Sequence, residues 1–504
     1  MVTEIPVSDI TRFIGRYTLG RDSNPLSTME SLHFLRIKVP GGCLTADQLR
    51  GIATLSDMYG RGRGEITNRQ SIQLHWIESA DALDIFAEME RLGFTTDMCG
   101  QGFSGARLGD ARNIVCCPAA GVDPDELIDV RPLLNRLSAF FIGNPDFQDM
   151  PRKFKFALTG CQSDCTRAIT NDLGIVAVEQ DANVGFTFVA GGSMGSSLPG
   201  PRLATPLPIF VPPEDVFDVA VAVIEIHRDN SNRESKAKAR FKWLLESWGV
   251  DRFLRELTEK MGRPFDQYRG PAFRRHDAHL GVRQQKQAGQ YYVTVPLATG
   301  RLSSRDMMAL ADSADAYGDG DLRLTPTQNV LIVGVRDRDA LLTALDHAGF
   351  PSHRSELHGS SMGCASDYCG KTVSPHSKEV LATTIARLET RYDRDQLRDF
   401  RIHVSGCPHN CCANLISEIG LAGVLTQEAD GLVQHYNLLL GGMYGPRPAL
   451  GRLAATRIPA TVVPETIEGF LDNYFKQRRD GERLATFCQR QTPSELRGLV
   501  TRKV

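Results

Sequence analysis

At 504 residues, with 58 basic and 60 acidic side chains and a formal net charge of -2, the chain is too long for one ordinary core. It offers no bulk field to attract nucleic acid or an anionic membrane. No apolar run is long enough to span a membrane and the first residues carry no signal-like pattern, so a soluble, cytoplasmic protein is expected.

Twelve cysteines in such a chain point to metal or redox use rather than disulfides. The first predicted elements are a strand over 35–42 closed by Pro-Gly-Gly, a helix carrying Leu44, Leu49, Ile52, Leu55 and Met58, and a second strand over 64–75. The same β-α-β order returns over 291–335, and Leu44 to Gln70 has the same separation as Leu302 to Gln328. This is an internal repeat. It continues where Thr-Gly-Cys-Gln-Ser-Asp-Cys at 159–165 matches Ser-Gly-Cys-Pro-His-Asn-Cys at 405–411, and where Gly-Gly-x-x-Gly recurs at 191–195 and 441–445. A basic connector over 228–242 and a helix from Phe253 to Met261 join the halves. A duplicated chain places a large shared ligand at the interface between its copies.

Cys364, Cys369, Cys407 and Cys411 offer four thiolates on short turns. Taken by themselves they leave open an iron-sulfur cluster, a zinc site or unrelated buried cysteines. Arg36, Lys38, Arg69, Arg112, Arg152, Lys153 and Lys155 form a second set. Alternation puts Lys153 and Lys155 on one side of a strand, either as an anion site or as a solvated face. Cys116 and Cys117, with Cys161 and Cys165, look like a further four-cysteine set. A vicinal pair does not easily take two corners of one cluster, so packing roles are expected for these four. His75, His403 and His409 read as structural rather than as metal ligands.

The motif Ser-Gly-Cys-Pro-His-Asn-Cys at 405–411, with Glu-Ile-Gly-Leu-Ala-Gly at 418–423, resembles the siroheme-dependent sulfite and nitrite reductases that carry a 4Fe-4S cluster. Thr-Asn-Arg-Gln at 67–70, Arg-Asn-Ile-Val at 112–115 and Met-Pro-Arg-Lys-Phe-Lys at 150–155 support the resemblance, which runs from about residue 30 to 480. It implies an α/β (α+β) fold, internally duplicated about a pseudo-two-fold. Ferredoxin-like half-domains at 1–78 and 285–345 pair; a first siroheme and substrate domain with the connector spans 79–284, and a cluster and siroheme domain spans 346–504.

The resemblance implies that Cys364, Cys369, Cys407 and Cys411 bind the cluster, with Cys411 also bridging to the siroheme iron. Arg36, Arg112, Lys153 and Lys155 match the cations over the face where the oxyanion binds. Arg69, Gln70, Gln73, His75, Arg233, Arg240 and Lys242 match groups that hold the siroheme carboxylates.

The activity implied is six-electron reduction of sulfite to sulfide, with nitrite to ammonia as the alternative. Lys155 leans toward sulfite, because plant-type nitrite enzymes tend to have Asn there, although bacterial nitrite enzymes can keep both lysines. A precorrin-3B synthase-like oxygenase, which should lack the cationic quartet, and a non-catalytic metal-binding protein are further alternatives. No flavin- or nicotinamide-binding module is visible, so a separate ferredoxin or flavoprotein is expected to donate electrons; neither nucleic acid nor membrane is expected as a partner. Two positions depart from the family pattern: Cys364 and Cys369 are separated by four residues rather than five, and Leu32 stands where some members have a crosslinking tyrosine.

Overall fold

The computed structural model describes residues 13, 16–21, 32–97, 109–195, 200–235, 237–297, 299–351, 354–365, 376–428 and 431–500. The helices Ala46–Tyr59 and Ser304–Tyr317 begin on matching capping boxes, Thr45 with Gln48 and Ser303 with Asp306. They pack on each other, and one apolar core runs under both half-domains, joining Leu35, Ile52 and Leu74 to Val293, Leu310 and Ile332. Each half-domain also lends a short strand to the other. Arg301–Ser303 pairs with Arg63–Ile66, and Cys43–Thr45 pairs with Asp321–Leu324.

The strand expected over 64–75 is instead two strands, Arg63–Ile66 and Ile72–Ile77, paired as a hairpin. Thr67 breaks the run: its hydroxyl accepts the N–H groups of Arg69 (3.3 Å) and Ser71 (3.2 Å), turn chemistry that competes with the ladder. The repeat folds likewise into Asp321–Leu324 and Val330–Val335. Gln70 and Gln328 hold matching left-handed conformations, with φ of 56° and 66°. Gln70 donates to Leu324 O (2.8 Å) and Gln328 to Ile66 O (2.9 Å), so the two copies are tied reciprocally.

Glu65 ties this pair to the rest of the chain. Its buried carboxylate lies 3.0 Å from Arg301 Nε, 3.2 Å from Lys378 Nζ and 3.6 Å from His75 Nε2. Burial alone would raise its pKa, but Lys378, His75 and Arg301 outweigh burial and hold the carboxyl well below the usual range. A lowered carboxyl contributes stability that is complete above the unfolded pKa, about 4.3, and is lost as pH falls below it. Glu65→Gln is therefore expected to cost about 3–5 kcal/mol near neutrality. The gap between the variant's and the wild type's urea midpoints should narrow as pH is lowered below that value; a gap independent of pH would refute the assignment.

Two larger sheets repeat one topology. Val115–Cys116, Phe156–Thr159, Leu173–Gln180, Asn183–Ala190 and Thr205–Val211 pair in that order, parallel twice and then antiparallel twice. Met362–Gly363, Ile402–Ser405, Ile419–Glu428, Gly431–Leu440 and Arg452–Pro459 do the same. Val216–Asn230 already contains the start of the expected connector, and Phe241–Met261 contains its end. The helix expected from Phe253 is thus the second part of a longer one, interrupted at Gly249, where φ is 72°. Phe241 anchors its first turn, with its ring 5.4 Å from Phe154 and 5.5 Å from Phe253. Among the described residues no helix is long and apolar enough to cross a membrane.

Candidate active site

The 67–71 turn projects Arg69 between the halves. Its guanidinium donates to Asn171 Oδ1 (2.8 Å) and Phe156 O (3.3 Å), and also to Asn113 O. Burial pulls its pKa down to about 10, with Asp97 opposing the shift and Arg112 adding to it. Across the adjacent hairpin, Arg36 and Gln73 are register partners, and Arg36 Nε donates to Gln73 Oε1 at 3.0 Å. These residues open onto a cavity of 450 Å³ lined also by Arg112, Lys153, Lys155, Arg240 and Lys242 from the first unit and by Cys407, His409 and Cys411 from the second. Its size suits a ligand larger than a small oxyanion.

The cations are fixed by the fold rather than gathered at a surface. Lys153 lies one residue before the end of the strand Asp149–Phe154 and Lys155 precedes Phe156–Thr159; both side chains line the cavity, as the alternation predicted. The intervening Phe154 and Phe156 are fully buried with rings 4.9 Å apart, which locks the register. Asp172 organises the far side. It accepts two bonds from Arg240 Nη2, at 2.9 and 2.8 Å, and one from the Lys155 backbone N–H at 3.0 Å. Burial, then Arg112 and Arg240, brings Lys153 down to about 7, and burial with Arg69 and Lys153 holds Lys155 well below the usual lysine value. Lys242 falls to about 8 through burial and Arg240. Such crowding favours a polyanionic occupant, because every added negative charge opposes these shifts.

A second cavity of 170 Å³ adjoins the first. Arg36, Arg112, Lys153 and Lys155 line it together with Cys364, Cys407, Cys411 and Cys412. Cys364 Sγ accepts the Gly406 N–H at 3.0 Å, and Cys407 Sγ lies 3.3 Å from His409 Nδ1. Backbone N–H groups aimed at sulfur are what a thiolate cluster site requires. Asn68, on the Arg69 turn, donates to Cys411 O and so joins the cysteine turn of one copy to the hairpin of the other. Cys369 lies outside the described residues.

Three expected cofactor contacts stand elsewhere. Gln70 is buried away from both cavities, with its amide spent on Gly41 O, Leu324 O and the Cys116 N–H. His75 sits behind Gln73 and Glu65. Arg233 turns outward to Asp149, donating to its backbone O at 3.0 Å. Conversely, Asn68, Arg167, Asn171 and His409 line the larger cavity without having been singled out as contacts. Arg167 follows Cys165 with φ of 53°, as Ala413 follows Cys411 with φ of 52°, so the repeat itself marked that position. Of the two glycine motifs, only the first reaches the larger cavity, through Ser193, Met194 and Gly195.

The model of the nitrite and sulphite reductase 4Fe-4S domain matches residues 109–265 and 377–504, and that of the nitrite/sulfite reductase ferredoxin-like half domain matches 25–92 and 283–346. The chain belongs to the nitrite and sulfite reductase family. Within the family it is 30% identical to the assimilatory ferredoxin-dependent nitrite reductase of Haloferax mediterranei, over 97% of this chain and 87% of that one. It is 31% identical to sulfite reductase (ferredoxin) 1 of Mycolicibacterium paratuberculosis, over 93% and 84%. The structure of the NirA protein of Mycobacterium tuberculosis superposes with a TM-score of 0.86 at 28% identity, covering 97% of this chain and 90% of that one. Siroheme and a 4Fe-4S cluster are the cofactors of this family. The residues fit both: a cavity crowded with buried cations suits a polycarboxylate macrocycle, and the thiols adjoin it.

Proposed function

We propose that the protein reduces sulfite to sulfide in a six-electron reaction, taking electrons from ferredoxin. The observation that carries this reading is the lining shared by Arg36, Arg112, Lys153 and Lys155 with Cys364, Cys407 and Cys411 in one small cavity. A precorrin-3B synthase-like oxygenase has no use for that quartet. Ferredoxin appears in the names of the two relatives above, which supports it as donor.

Siroheme and the cluster, when bound, supply the iron that takes the oxyanion and the electrons that reduce it. Cys364, Cys407 and Cys411, with Cys369, would hold the cluster. Arg69, Gln73, Arg240 and Lys242 would hold the carboxylates of the macrocycle. The quartet binds and orients the oxyanion, and its ammonium and guanidinium groups, partly or fully buried, stabilise charge on oxygen as it leaves. A lysine drawn down to about 7 is also placed to hand over protons near neutrality.

Lys155 supports sulfite over nitrite, since it adds a second ammonium beside Lys153 for a more highly charged oxyanion. Nitrite reduction is the second reading, favoured by a relative of that name at nearly the same identity. Turnover of each anion with reduced ferredoxin decides between them. Lys155→Asn is expected to move the sulfite-to-nitrite ratio of kcat/KM toward nitrite by roughly tenfold or more. An unchanged ratio removes Lys155 as a reason to choose sulfite.

A further inference from the structure

The duplicated cysteine turn of the first copy has its own chemistry. Cys117 is the topological image of Cys364: its N–H donates to Leu158 O at 3.1 Å, as that of Cys364 donates to Val404 O at 3.0 Å. Cys161 and Cys165 are likewise the images of Cys407 and Cys411. Strand alternation separates the vicinal pair, with Cys116 lying beside Gly41 while Cys117 faces Cys165. The objection to a site built on vicinal cysteines therefore falls away, since only one of the two takes part. Five residues after Cys117, where the second copy has Cys369, the chain has Val122. A histidine from outside the repeat supplies the missing donor.

The Sγ atoms of Cys117 and Cys165 and a ring nitrogen of His279 all lie within 4.8 Å of one another. Cys117 Sγ is 3.2 Å from His279 Nε2, close to the roughly 3.5 Å that separates sulfur and nitrogen at adjacent corners of a zinc tetrahedron. On the other side of the ring, Nδ1 lies 3.2 Å from Tyr292 Oη and 3.7 Å from Asp123 Oδ2. Tyr292 Oη is within hydrogen-bond distance and orients the ring, with the Asp123 carboxylate beyond direct hydrogen bonding. His279 also sits at φ 53°, held by its N–H to Asp277 Oδ1 at 2.8 Å and by the Thr294 hydroxyl on its carbonyl. Backbone strain maintained at one side chain is a mark of a functional constraint.

We propose that Cys117, Cys165 and His279 bind a single structural zinc ion at the pseudo-two-fold image of the cluster site. The donor set of thiolates and imidazole suits zinc rather than calcium or magnesium, and its tight grouping surrounds one ion. The two thiols lose their protons to solvent as the ion binds during folding. These three donors leave a fourth position for a further ligand such as water. A nucleophilic Cys–His pair is excluded by access: Cys117, Cys165 and His279 are 5%, 4% and 1% exposed. The ion clamps the first cysteine turn to the segment that leads into the second half-domain.

The test is made on the full-length holoenzyme, carrying siroheme and its cluster and isolated from zinc-containing medium. Elemental analysis is expected to find about one zinc per chain beside the cofactor iron. Zinc K-edge absorption is expected to show at least two sulfurs near about 2.3 Å and an imidazole nitrogen near about 2.0 Å. These readouts need no variant. Cys117→Ala and His279→Ala are each expected to lower zinc content at least about tenfold, with Cys407→Ser leaving it unchanged. Absence of zinc, zinc lost only in Cys407→Ser, or a Cys117–Cys165 disulfide found by non-reducing peptide mapping would each overturn the proposal.

Discussion

On the proposed function, Cys411→Ser is expected to reduce sulfite turnover to below about a thousandth of wild type, because this one thiolate would serve both the cluster and the siroheme. Cys411 lines both the larger cavity and the smaller one, and among the described residues Cys407 is the only other cysteine to do so. Its carbonyl is held by Asn68 from the opposite copy, so its position is set by the interface rather than by its own loop. Serine keeps that backbone contact and nearly the same volume, and offers a far poorer ligand to iron. The loss should therefore appear without global unfolding. Steady-state turnover with a one-electron donor, beside visible absorption of the purified variant, measures it. A Cys411→Ser protein with full cofactor bands and near-normal turnover would refute the assigned role of Cys411 and the proposed link between cluster and siroheme.

The duplication was legible because its motifs recur at fixed separations. It forecast a chain built of two copies, and the half-domains that exchange strands and the two sheets of one topology agree with that. Arg69, Lys153 and Lys155 were readable because a turn and a strand alternation fix where such side chains point. The resemblance matches Gln70, His75 and Arg233 to groups that hold the cofactor carboxylates, and three different physical facts place them away from the two cavities. Gln70 is turned by a positive φ into the seam between copies. His75 follows Gln73 in the same strand, so it shares that face but lies one step deeper, next to Glu65. Arg233 stands on the short connector between two helices and pairs with Asp149 at the surface. No local pattern reports such tertiary outcomes. The hairpin break at Thr67 was legible in principle, since Thr-Asn-Arg-Gln carries turn residues inside an otherwise strand-like run.

The asymmetry between the copies has a physical basis in these same residues. At the shared cavities, the first copy contributes Arg69, Arg112, Lys153 and Lys155, and the second contributes Cys407 and Cys411. In the proposed arrangement the turn of the second copy would serve electron supply, which leaves its image in the first copy for another purpose. Positive charge from one copy then surrounds sulfur from the other, which favours an anionic occupant.

Lys153→Met is the sharpest test of the anion site. The substitution keeps the length of the side chain and removes its charge, while Phe154 and Phe156 continue to hold the strand in register. Removing one such preorganised donor costs roughly 10²–10³ in rate where it acts on developing charge, so kcat/KM for sulfite is expected to fall by about that factor. Lys153→Arg should recover part of the loss by restoring a cation in the same direction. The pH profile adds a second readout. Burial together with Arg112 and Arg240 draws Lys153 to about 7, whereas the carboxylates of siroheme act in the opposite sense and raise it. The protonated form is the one that binds the anion, so wild-type kcat/KM should decline as pH rises through this pKa, at or above about 7. In Lys153→Met that alkaline limb should be lost or displaced. A fall of less than about threefold with an unaltered pH profile would show that Lys153 lines the cavity without acting on the oxyanion, and would shift the burden of charge stabilisation to Arg36, Arg112 and Lys155.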